Sequence, residues 1–460
     1  MNYTITLQDL HNTQIKNHLL RDDHKERVAF IICGISKSNS EIRFLSIDTV
    51  LLNEEQISSN ADNVTFNNND FISILKKIEL KDLSIILVHN HPMHFGQFST
   101  VDDEGEYHLF KLAYNRNNSI NPFASLIMLP DGSLIGRAWK VDLTHSPISR
   151  IRVIGNSFKM YYPDRTKDYS SPEVFHRQQL AFGKALVQDF SKMKITIVGA
   201  GATGSATTIL LTRLGVGELC LIDKDIIEES NLNRLYGATY QDIGSFKVEV
   251  LKKHIESIGL NTKVTALTEW VSAEKCVDHL KTSDFIFGCT DDNSGRIFLN
   301  RFAYFYLTPV IDMGLVISVK GDPPEIDNLQ GRISYLFPGN DCLITKGIIN
   351  MQIAYSENLQ RNDEDSYKKL KAEAYVIGEG NPAPAVITFT TQIATMAVNE
   401  LLNRIQQFNP DGILSPHKII FFHRGIEIFP ENIQNNDCRI CGTKYYWGRG
   451  DMIPFLDMTI

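Results

Sequence analysis

Apolar runs of strand length dominate the first third of this chain. Five segments rich in β-branched and aromatic residues predict strands at 28–33, 42–50, 84–88, 124–128 and 133–139. Residues 7–20 predict a helix, and the turn Pro130-Asp131-Gly132 predicts a hairpin between the last two strands. Helices and strands mixed in this way predict an α+β domain over residues 1–150.

The hydrophobic pattern changes at residue 194, where short apolar strands begin to alternate with helical segments. Strands are predicted at 195–198, 219–222 and 284–287, and helices at 205–214 and 247–258. The turn Gly199-Ala200-Gly201-Ala202-Thr203-Gly204 follows the first of these strands, and Asp223 ends the second. Such a βαβ unit is typical of a doubly wound, Rossmann-like sheet. The whole chain is therefore predicted to be an α/β protein.

The boundary between the two regions is predicted from a less regular segment. Residues 151–171 predict a linker, and the second domain is expected to cover 172–460, beginning with a helix at 172–190. The charged stretch 356–373 predicts a surface loop or an exposed helix.

Composition narrows the classes of protein to which the chain can belong. Its 460 residues predict two or three domains, and 43% hydrophobic with 22% charged residues is ordinary for globular protein. The net charge of −8 argues against nucleic acid as a partner, and no run approaches the ~20 apolar residues of a membrane span. Seven scattered cysteines predict reduced thiols and a cytoplasmic location rather than a disulfide framework.

Two histidines stand one residue apart at the end of a predicted strand, in Val88-His89-Asn90-His91-Pro92. Strand side chains repeat every two residues, so His89 and His91 point to the same side. Asp102 follows on the next predicted helix and can supply a third ligand. Two imidazoles and one carboxylate suit Zn²⁺ and leave its fourth position for water, which is typical of a catalytic rather than a structural zinc site.

The spacing of His89, His91, Ser99 and Asp102 resembles the motif of the JAB/MPN+ (JAMM) metalloproteases. The resemblance implies that His89, His91 and Asp102 bind zinc, and that Glu26 is the general base toward the attacking water. It also implies that Ser99 supports the oxyanion of the tetrahedral intermediate. The alternative is a loop of polar residues whose imidazoles bond to the backbone, with Glu26 an ordinary solvated carboxylate at the start of a strand.

The glycine-rich turn alone fits NAD, FAD or ATP, with Asp223 on the ribose in each case. The residues that follow it discriminate among these ligands. The chain resembles the ThiF/MoeB and ubiquitin-activating adenylyltransferases at Asp223-Lys224-Asp225, Asn231-Leu232-Asn233-Arg234, Lys247, Cys289-Thr290-Asp291-Asp292, Pro338–Leu343 and Pro382-Ala383-Pro384. The chain departs from the family pattern at Ala202, where the family loop usually has a glycine. Alanine can take that place in the loop if its φ stays negative.

The resemblance implies an ATP site made of Gly199, Gly201, Ala202, Gly204, Asp223, Asp225, Asn231, Arg234, Lys247 and Asp291. Asp223 would hold the ribose, Arg234 and Lys247 the phosphates, and Asp291 Mg²⁺. These positive charges would offset the triphosphate while a carboxylate attacks the α-phosphorus. An NAD site has no use for Arg234 and Lys247 at these places. In dimeric relatives, the arginine at the position of Arg177 reaches the γ-phosphate of the other subunit, which implies a homodimer.

The last cysteines of the chain form an incomplete pattern. Cys438-Arg439-Ile440-Cys441 resembles the second half of a structural zinc site in the same family, whereas the first half reads Cys342-Leu343-Ile344-Thr345. Threonine is a poor zinc ligand, so either another residue completes the site or the zinc is lost. Cys342 is also the candidate nucleophile for a thioester, and the alternative is adenylation without one.

The sequence thus predicts a bifunctional enzyme that uses Zn²⁺, ATP and Mg²⁺. A JAMM peptidase would cleave at the C-terminus of a ubiquitin-like or sulfur-carrier protein, and a ThiF-like domain would adenylate that terminal glycine. A conjugating enzyme is a further expected partner, because fused relatives resemble parts of bacterial ubiquitin-like modification systems. The alternatives are a biosynthetic enzyme that activates a sulfur carrier for thiamine or molybdopterin, an NAD-dependent Rossmann enzyme, and a binding module without activity.

Overall fold

The computed structural model of the chain describes residues 1–60, 64–79, 83–93, 96–163, 165, 169–363, 367–368, 384–409 and 414–452. Pro382, Ala383 and part of the charged stretch 356–373 lie outside these ranges. The chain divides into two units. The first comprises Met1–Thr166, Phe305–Leu307 and Tyr446–Asp457, and the second comprises Lys167–Tyr304, Thr308–Tyr445 and Met458–Ile460.

The described part of the first unit contains strands and three helices. Its strands are β1 (Asn2–Gln8), β2 (Val28–Lys37), β3 (Glu41–Leu51), β4 (Ile57–Ser59), β5 (Val64–Phe66), β6 (Ser84–Asn90), β7 (Phe123–Met128), β8 (Leu134–Trp139), β9 (His145–Ile154) and β10 (Phe158–Tyr161). Its helices are α1 (Asp9–Leu19), α2 (Asn68–Glu79) and α3 (Thr100–Asn117). The main sheet has the order β1-β3-β2-β6-β7-β8-β9-β10, and β1 also pairs with β9, so seven strands close into a ring.

The segment 151–171, which was predicted to be a linker, contains strand residues in the structure. Strand β9 crosses the predicted boundary at residue 150, and β10 lies wholly within 151–171. β9 forms because it pairs in parallel with β1 from Tyr3↔Ile148 to Gln8↔Ile154. That partner is at the other end of the unit, so the local pattern did not reveal the strand, and the first unit extends to Thr166.

Strand β2 carries apolar side chains on both faces and is therefore buried on both. Its even-numbered positions 28–32 join one hydrophobic core with α2 and α3. Its odd-numbered positions 29–35 join a second core that includes Ile15 and Leu19 of α1. The packing of α3 against the first face sets the first turn of this helix beside the end of β6, where the two histidines lie.

The second unit is built on a doubly wound sheet, as predicted. Its strands are β11 (Lys194–Val198), β12 (Glu218–Ile222), β13 (Lys263–Leu267), β14 (Phe285–Gly288), β15 (Val310–Lys320), β16 (Glu325–Leu336), β17 (His417–Phe421) and β18 (Ile426–Ile428). Its helices are α4 (His176–Lys192), α5 (Ala202–Arg213), α6 (Lys247–Ile258), α7 (Glu274–Thr282), α8 (Asn293–Phe305), α9 (Met351–Asn362) and α10 (Ile387–Gln406). The order β13-β12-β11-β14-β15 is parallel, and β16, β17 and β18 extend it in antiparallel fashion.

Two local features refine the predicted helices of this unit. The helix predicted at 172–190 begins with a 3₁₀ turn, Glu173–Phe175, and α4 that follows is interrupted at Gly183, whose φ is 80°. A glycine can adopt this left-handed conformation without strain. Within the described ranges, no helix of either unit is long and apolar enough to cross a membrane.

Candidate functional site

The end of β6 and the first turn of α3 bring three potential metal ligands together. Nε2 of His89 lies 3.1 Å from Nε2 of His91 and 3.2 Å from Oδ1 of Asp102, and Nε2 of His91 lies 3.7 Å from Oδ2 of Asp102. The ligands of a tetrahedral zinc ion, with bonds of ~2.0–2.1 Å, are about 3.3 Å apart. The three donor atoms therefore have the separations that a bound zinc requires.

Ser99 holds the carboxylate of Asp102 in this arrangement. The Ser99 hydroxyl donates to Oδ2 of Asp102 over 2.8 Å, and the Ser99 N–H donates to the same oxygen over 2.7 Å. The hydroxyl oxygen accepts the Asp102 N–H, which completes a capping box at the start of α3. To donate to an oxyanion, as predicted, the Ser99 hydroxyl would have to break its hydrogen bond to Asp102.

The electrostatic surroundings keep Asp102 ionised. Burial by itself would raise the pKa of this carboxyl group, but hydrogen bonds with His89 and His91 outweigh burial. The pKa of Asp102 is therefore held well below its ordinary value. An ionised carboxylate between two imidazoles is the form in which such a group binds a cation.

Glu26 lies near this cluster by strand register. β2 and β6 are antiparallel and pair Val28 with His89, so the same register continued by two residues sets Glu26 opposite His91. The Asn90 N–H donates to the Arg27 carbonyl over 3.3 Å, which shows that the pairing does continue beyond Val28. Opposite residues of an antiparallel pair share a face of the sheet. Glu26, which is 8% exposed, is thus on the same face as both histidines.

A buried polar network supports the helix that carries Asp102, and sequence reasoning missed it. Oε2 of Glu106 accepts Nε of Arg137 over 2.9 Å and Nε1 of Trp139 over 2.7 Å. The Arg137 guanidinium lies 3.9 Å from the centre of the Phe98 ring. The centres of the Phe98 and His89 rings are 6.3 Å apart, and the rings meet edge to face. These partners are far apart in sequence, so spacing gave no signal for them.

The second unit contains a cleft of about 500 Å³ at the carboxyl ends of its parallel strands. The predicted ATP-site residues that line it are Gly199, Gly201, Ala202, Asp223, Asp225, Asn231, Arg234, Lys247 and Asp291. Gly204 does not line the cleft. A Cβ atom on Gly204 would lie 1.8 Å from the Gly199 carbonyl oxygen, so this glycine allows α5 to pack closely on the turn.

The glycine-rich turn and Asp223 are joined by hydrogen bonds. The Ala200 N–H donates to Oδ2 of Asp223 over 2.7 Å, and the Asp225 N–H donates to Oδ1 over 2.8 Å. Burial raises the pKa of Asp223, and the nearby charge of Lys247 opposes this rise. Ala202 is the first residue of α5, where φ is negative, so the replacement of glycine by alanine is accommodated.

Two basic side chains of the cleft, Lys247 and Arg234, already have hydrogen-bond partners. Nζ of Lys247 lies 2.8 Å from Oδ2 of Asp225, and the Arg234 guanidinium donates to the Ser230 carbonyl. Asp291 is exposed at the cleft, and its carboxylate makes no hydrogen bond to any residue in the described ranges. The next residue, Asp292, is engaged instead by the backbone of α8, as its Oδ1 accepts the Gly295 N–H over 2.5 Å.

Two residues of α9, Glu357 and Arg361, contact residues beside the cleft, and neither contact was predicted. The Arg361 guanidinium lies 3.5 Å from the centre of the Trp270 ring, and Nη2 of Arg361 is 3.0 Å from Oδ1 of Asp292. Oε2 of Glu357, one turn earlier, accepts the Ser294 N–H over 2.9 Å at the start of α8. Trp270 itself lines the cleft. In the sequence, Glu357 and Arg361 are two charged residues among many in 356–373, so nothing there indicated these contacts.

The four side chains of the incomplete cysteine pattern lie together in the structure. Sγ of Cys342 lies 3.7 Å from Sγ of Cys438 and 3.8 Å from Oγ1 of Thr345, which is 3.2 Å from Sγ of Cys441. The two half-motifs therefore meet, with a threonine at the fourth position. Cys342 is 0% exposed, so its thiol is not accessible to a protein substrate as a thioester nucleophile would be. A hydrogen bond with Cys441 lowers the pKa of Cys342 to about 5.

Arg177 is not among the residues that line the cleft of its own chain. It is exposed in the first turn of α4. The neighbouring Gln178 is anchored, because its Nε2 donates to the Leu214 carbonyl over 3.1 Å.

Comparison with known proteins matches residues 175–440, more than half of the chain, to the ThiF family. The chain is 31% identical over 144 residues to an adenylyltransferase and sulfurtransferase, UBA4, of Debaryomyces hansenii, covering 30% of this chain and 32% of that protein. It is 29% identical over 177 residues to the sulfur carrier protein ThiS adenylyltransferase of Escherichia coli, covering 36% of this chain and 68% of that protein.

Two further relatives complete the comparison. The chain is 30% identical over 172 residues to tRNA threonylcarbamoyladenosine dehydratase 2 of Saccharomyces cerevisiae, covering 36% of this chain and 38% of that protein. It thus spans only about a third of the length of the first two curated relatives that it matches. The crystal structure of E. coli MccB with ATP has 20% identity and a TM-score of 0.45, covering 59% of this chain and 75% of that one.

Proposed function

Because the chain belongs to the ThiF family, we propose that its second unit adenylates the C-terminal glycine of a ubiquitin-like or sulfur-carrier protein. The observation that carries this proposal is the grouping of Asp223, Arg234, Lys247 and Asp291 around one cleft beside a glycine-rich turn. Two relatives are named as adenylyltransferases, one of them for a sulfur carrier, which favours this reaction. The net charge of −8 disfavours tRNA, the substrate named for the dehydratase, as the partner here.

The residues of the cleft divide the work of this reaction. A carboxylate oxygen of the carrier attacks the α-phosphorus of ATP, the bond to the β-phosphate bridge breaks, and pyrophosphate leaves with the electron pair. Asp223 accepts hydrogen bonds from the ribose hydroxyls, while Arg234 and Lys247 offset the charge of the phosphates. Lys247 would exchange its present partner Asp225 for a phosphate oxygen. Asp291, whose carboxylate has no other partner in the described ranges, would hold Mg²⁺, which when bound screens the triphosphate charge.

The exchange of labelled pyrophosphate into ATP tests this proposal directly. We expect exchange that depends on a glycine-terminated carrier, with ubiquitin and the E. coli sulfur carrier ThiS as probes, and we expect no tight binding of NAD. Lys247→Ala should lower exchange by about 10²-fold, because a phosphate-binding cation is lost from the reacting centre. Lys253→Ala, an exposed lysine on the same helix, is the matched control and should exchange at the wild-type rate. Equal rates in the two variants would contradict the proposed role of Lys247.

For the first unit we propose a zinc-dependent peptidase or isopeptidase that cleaves after the terminal glycine of the same carrier class. The proposal is supported by the separations of 3.1–3.7 Å among the donor atoms of His89, His91 and Asp102. These three residues would hold the zinc, which when bound would lower the pKa of water and polarise the scissile carbonyl. Glu26 accepts the proton of the attacking water and passes it to the leaving amine. Ser99 orients Asp102, and its hydroxyl donates to the oxyanion once it no longer donates to Asp102.

The two proposed activities act on one chemical group in succession. Cleavage exposes the carboxylate of a terminal glycine, and adenylation requires that carboxylate. A conjugating enzyme would then accept the activated carrier, as in the bacterial ubiquitin-like systems that the motifs resemble, and the adenylating unit would work as a homodimer. The buried Cys342 favours transfer from the adenylate without a thioester on this chain.

A glutamate exchange tests the peptidase. Glu26→Gln should keep the zinc content of wild type and lose cleavage of ubiquitin-aminomethylcoumarin by about 10²-fold or more, because an amide cannot accept the proton of water. Glu55→Gln, which alters an exposed glutamate before β4, is the control and should cleave normally. Zinc is measured by atomic absorption and cleavage by fluorescence. A Glu26→Gln enzyme with wild-type turnover would remove Glu26 as the base.

A further inference from the structure

We propose that Asn90, the residue between the two histidines, is a positioning residue that fixes Glu26 at the metal site; this inference rests on the proposed peptidase function. Successive residues of a strand point to opposite faces of the sheet. The Asn90 side chain therefore points away from the face that carries His89 and His91, and it is free of any role as a ligand. It is nonetheless 3% exposed, so its amide must find partners inside the protein.

Those partners are the two peptide groups on either side of Glu26. Oδ1 of Asn90 accepts the backbone N–H of Arg27 over 2.6 Å, and Nδ2 of Asn90 donates to the carbonyl of Lys25 over 3.1 Å. The backbone of Asn90 adds a third bond, from its N–H to the Arg27 carbonyl over 3.3 Å. One amide side chain thus bridges the residues before and after Glu26 in a segment that precedes the regular part of β2.

A second set of contacts holds the same segment from the other side. The Arg27 guanidinium, whose side chain is 2% exposed, forms ion pairs with Asp23 at 2.5 Å and Glu54 at 3.0 Å. The Glu26 N–H donates to the Asn60 carbonyl over 2.8 Å. These bonds fix the backbone of Glu26 in the register that sets it opposite His91. Without the Asn90 amide, the peptide groups at Lys25 and Arg27 would lose their partners, and the position of the base would loosen.

A double-mutant cycle separates this positioning role from a general effect on stability. Asn90→Ala should keep one zinc per chain, and its kcat on ubiquitin-aminomethylcoumarin should fall by about tenfold or more with KM nearly unchanged. If Asn90 acts through Glu26, the double variant with Glu26→Gln should cleave no more slowly than Glu26→Gln alone. Asn12→Ala, a buried asparagine of α1, is the matched control and should cleave at the wild-type rate.

Amide hydrogen exchange supplies a readout that needs neither zinc nor substrate. In the zinc-free protein, Asn90→Ala should speed exchange of the Arg27 N–H, which loses its acceptor, while amides in the middle of β2 keep their protection. Unchanged exchange at Arg27, a wild-type kcat in Asn90→Ala, or full additivity in the double variant would each overturn the inference. If wild type itself does not cleave the probe, the peptidase proposal is wrong, and if Glu26→Gln cleaves at the wild-type rate, Glu26 is not the base. Loss in Glu26→Gln without loss in Asn90→Ala overturns only the role of Asn90.

Discussion

At the scale of single residues, the adjacent carboxylates Asp291 and Asp292 have different environments. Asp292 accepts the Gly295 N–H and an Arg361 N–H, and so occupies the N-cap position of α8. Burial would raise its pKa, but hydrogen bonds from Thr290, Gly295 and Arg361 outweigh burial and lower the pKa. Asp291 is exposed at the cleft and has no such contacts. One residue therefore stabilises the fold, and its neighbour remains available to a cation.

Alanine substitutions at these two positions should affect different properties, stability at Asp292 and exchange activity at Asp291. Asp292→Ala should lower the free energy of unfolding by ~1 kcal/mol, since a helix cap is lost. Asp291→Ala should leave it unchanged and abolish Mg²⁺-dependent pyrophosphate exchange. Denaturant unfolding and the exchange assay measure the two effects. Exchange lost in both variants, with neither destabilised, would mean that the two carboxylates share one role.

The pH dependence of the Asp292 contribution follows from the sign of its shift. The pKa is lowered in the folded protein, so the contribution is fully present above the unfolded value of ~3.9 and is lost as pH falls through the folded pKa. The difference in unfolding free energy between wild type and Asp292→Ala should therefore be constant from pH 5 to 8, as estimated from that value. It should shrink below about pH 4.

At the scale of elements, the segment Tyr446–Met452 packs against β2 within the first unit. The Asp451 N–H donates to the Ile35 carbonyl over 2.9 Å, and the Lys37 N–H donates to Oδ2 of Asp451 over 2.6 Å. A Cβ atom on Gly34 would lie 2.1 Å from the Gly448 carbonyl oxygen. The close approach of the two backbones explains why a glycine interrupts an otherwise apolar strand.

Two glycine-to-alanine substitutions in the first unit should change stability in opposite directions. Gly34→Ala should destabilise the unit by about 1–3 kcal/mol, because the new methyl group overlaps backbone that cannot move freely. Gly105→Ala is the matched control at an exposed position of helix α3, where a Cβ meets nothing within 4 Å, and it should stabilise by ~0.5–1 kcal/mol. Thermal unfolding of the two variants checks both signs, and a stable Gly34→Ala would show that the segment can shift.

At the scale of the whole molecule, Arg177 raises the question of assembly. It is exposed on α4 and does not line the cleft of its own chain, so we propose that it contacts phosphate in the cleft of a second chain. Homo-oligomers are most often paired about a two-fold axis, which would give each cleft one partner arginine. The ThiF family match covers both α4 and the cleft.

Mixed dimers test the arginine in trans. Arg177→Ala and Asp291→Ala should each suppress exchange when expressed alone. Co-expression of the two chains should restore part of the activity, because in a mixed dimer one cleft combines an intact Asp291 with the partner's intact arginine. Light scattering measures the mass of the assembly. A monomeric protein without rescue would contradict the trans arginine and leave the adenylation proposal unaffected.

The sequence by itself determined the features that neighbouring residues encode. The alternation of short strands and helices predicted the doubly wound sheet, and the turn from Gly199 to Gly204 predicted the start of α5, because period and turn chemistry are local. The ligand-type residues His89, His91 and Asp102 were identified from their spacing, and nine of the ten ATP-site residues that the resemblance implied line the cleft. Short spacings after a strand suffice to identify such groups.

Only the tertiary structure decided the features that depend on partners distant in the chain. β9 exists because β1 pairs with it, and Cys342 is buried because the segment with Cys438 packs over it. Arg361 reaches Trp270 only once α9 lies beside the cleft, and Asn90 bridges the residues around Glu26 only once β2 and β6 pair. Local pattern sets the type of an element, whereas long-range packing sets which side chains meet.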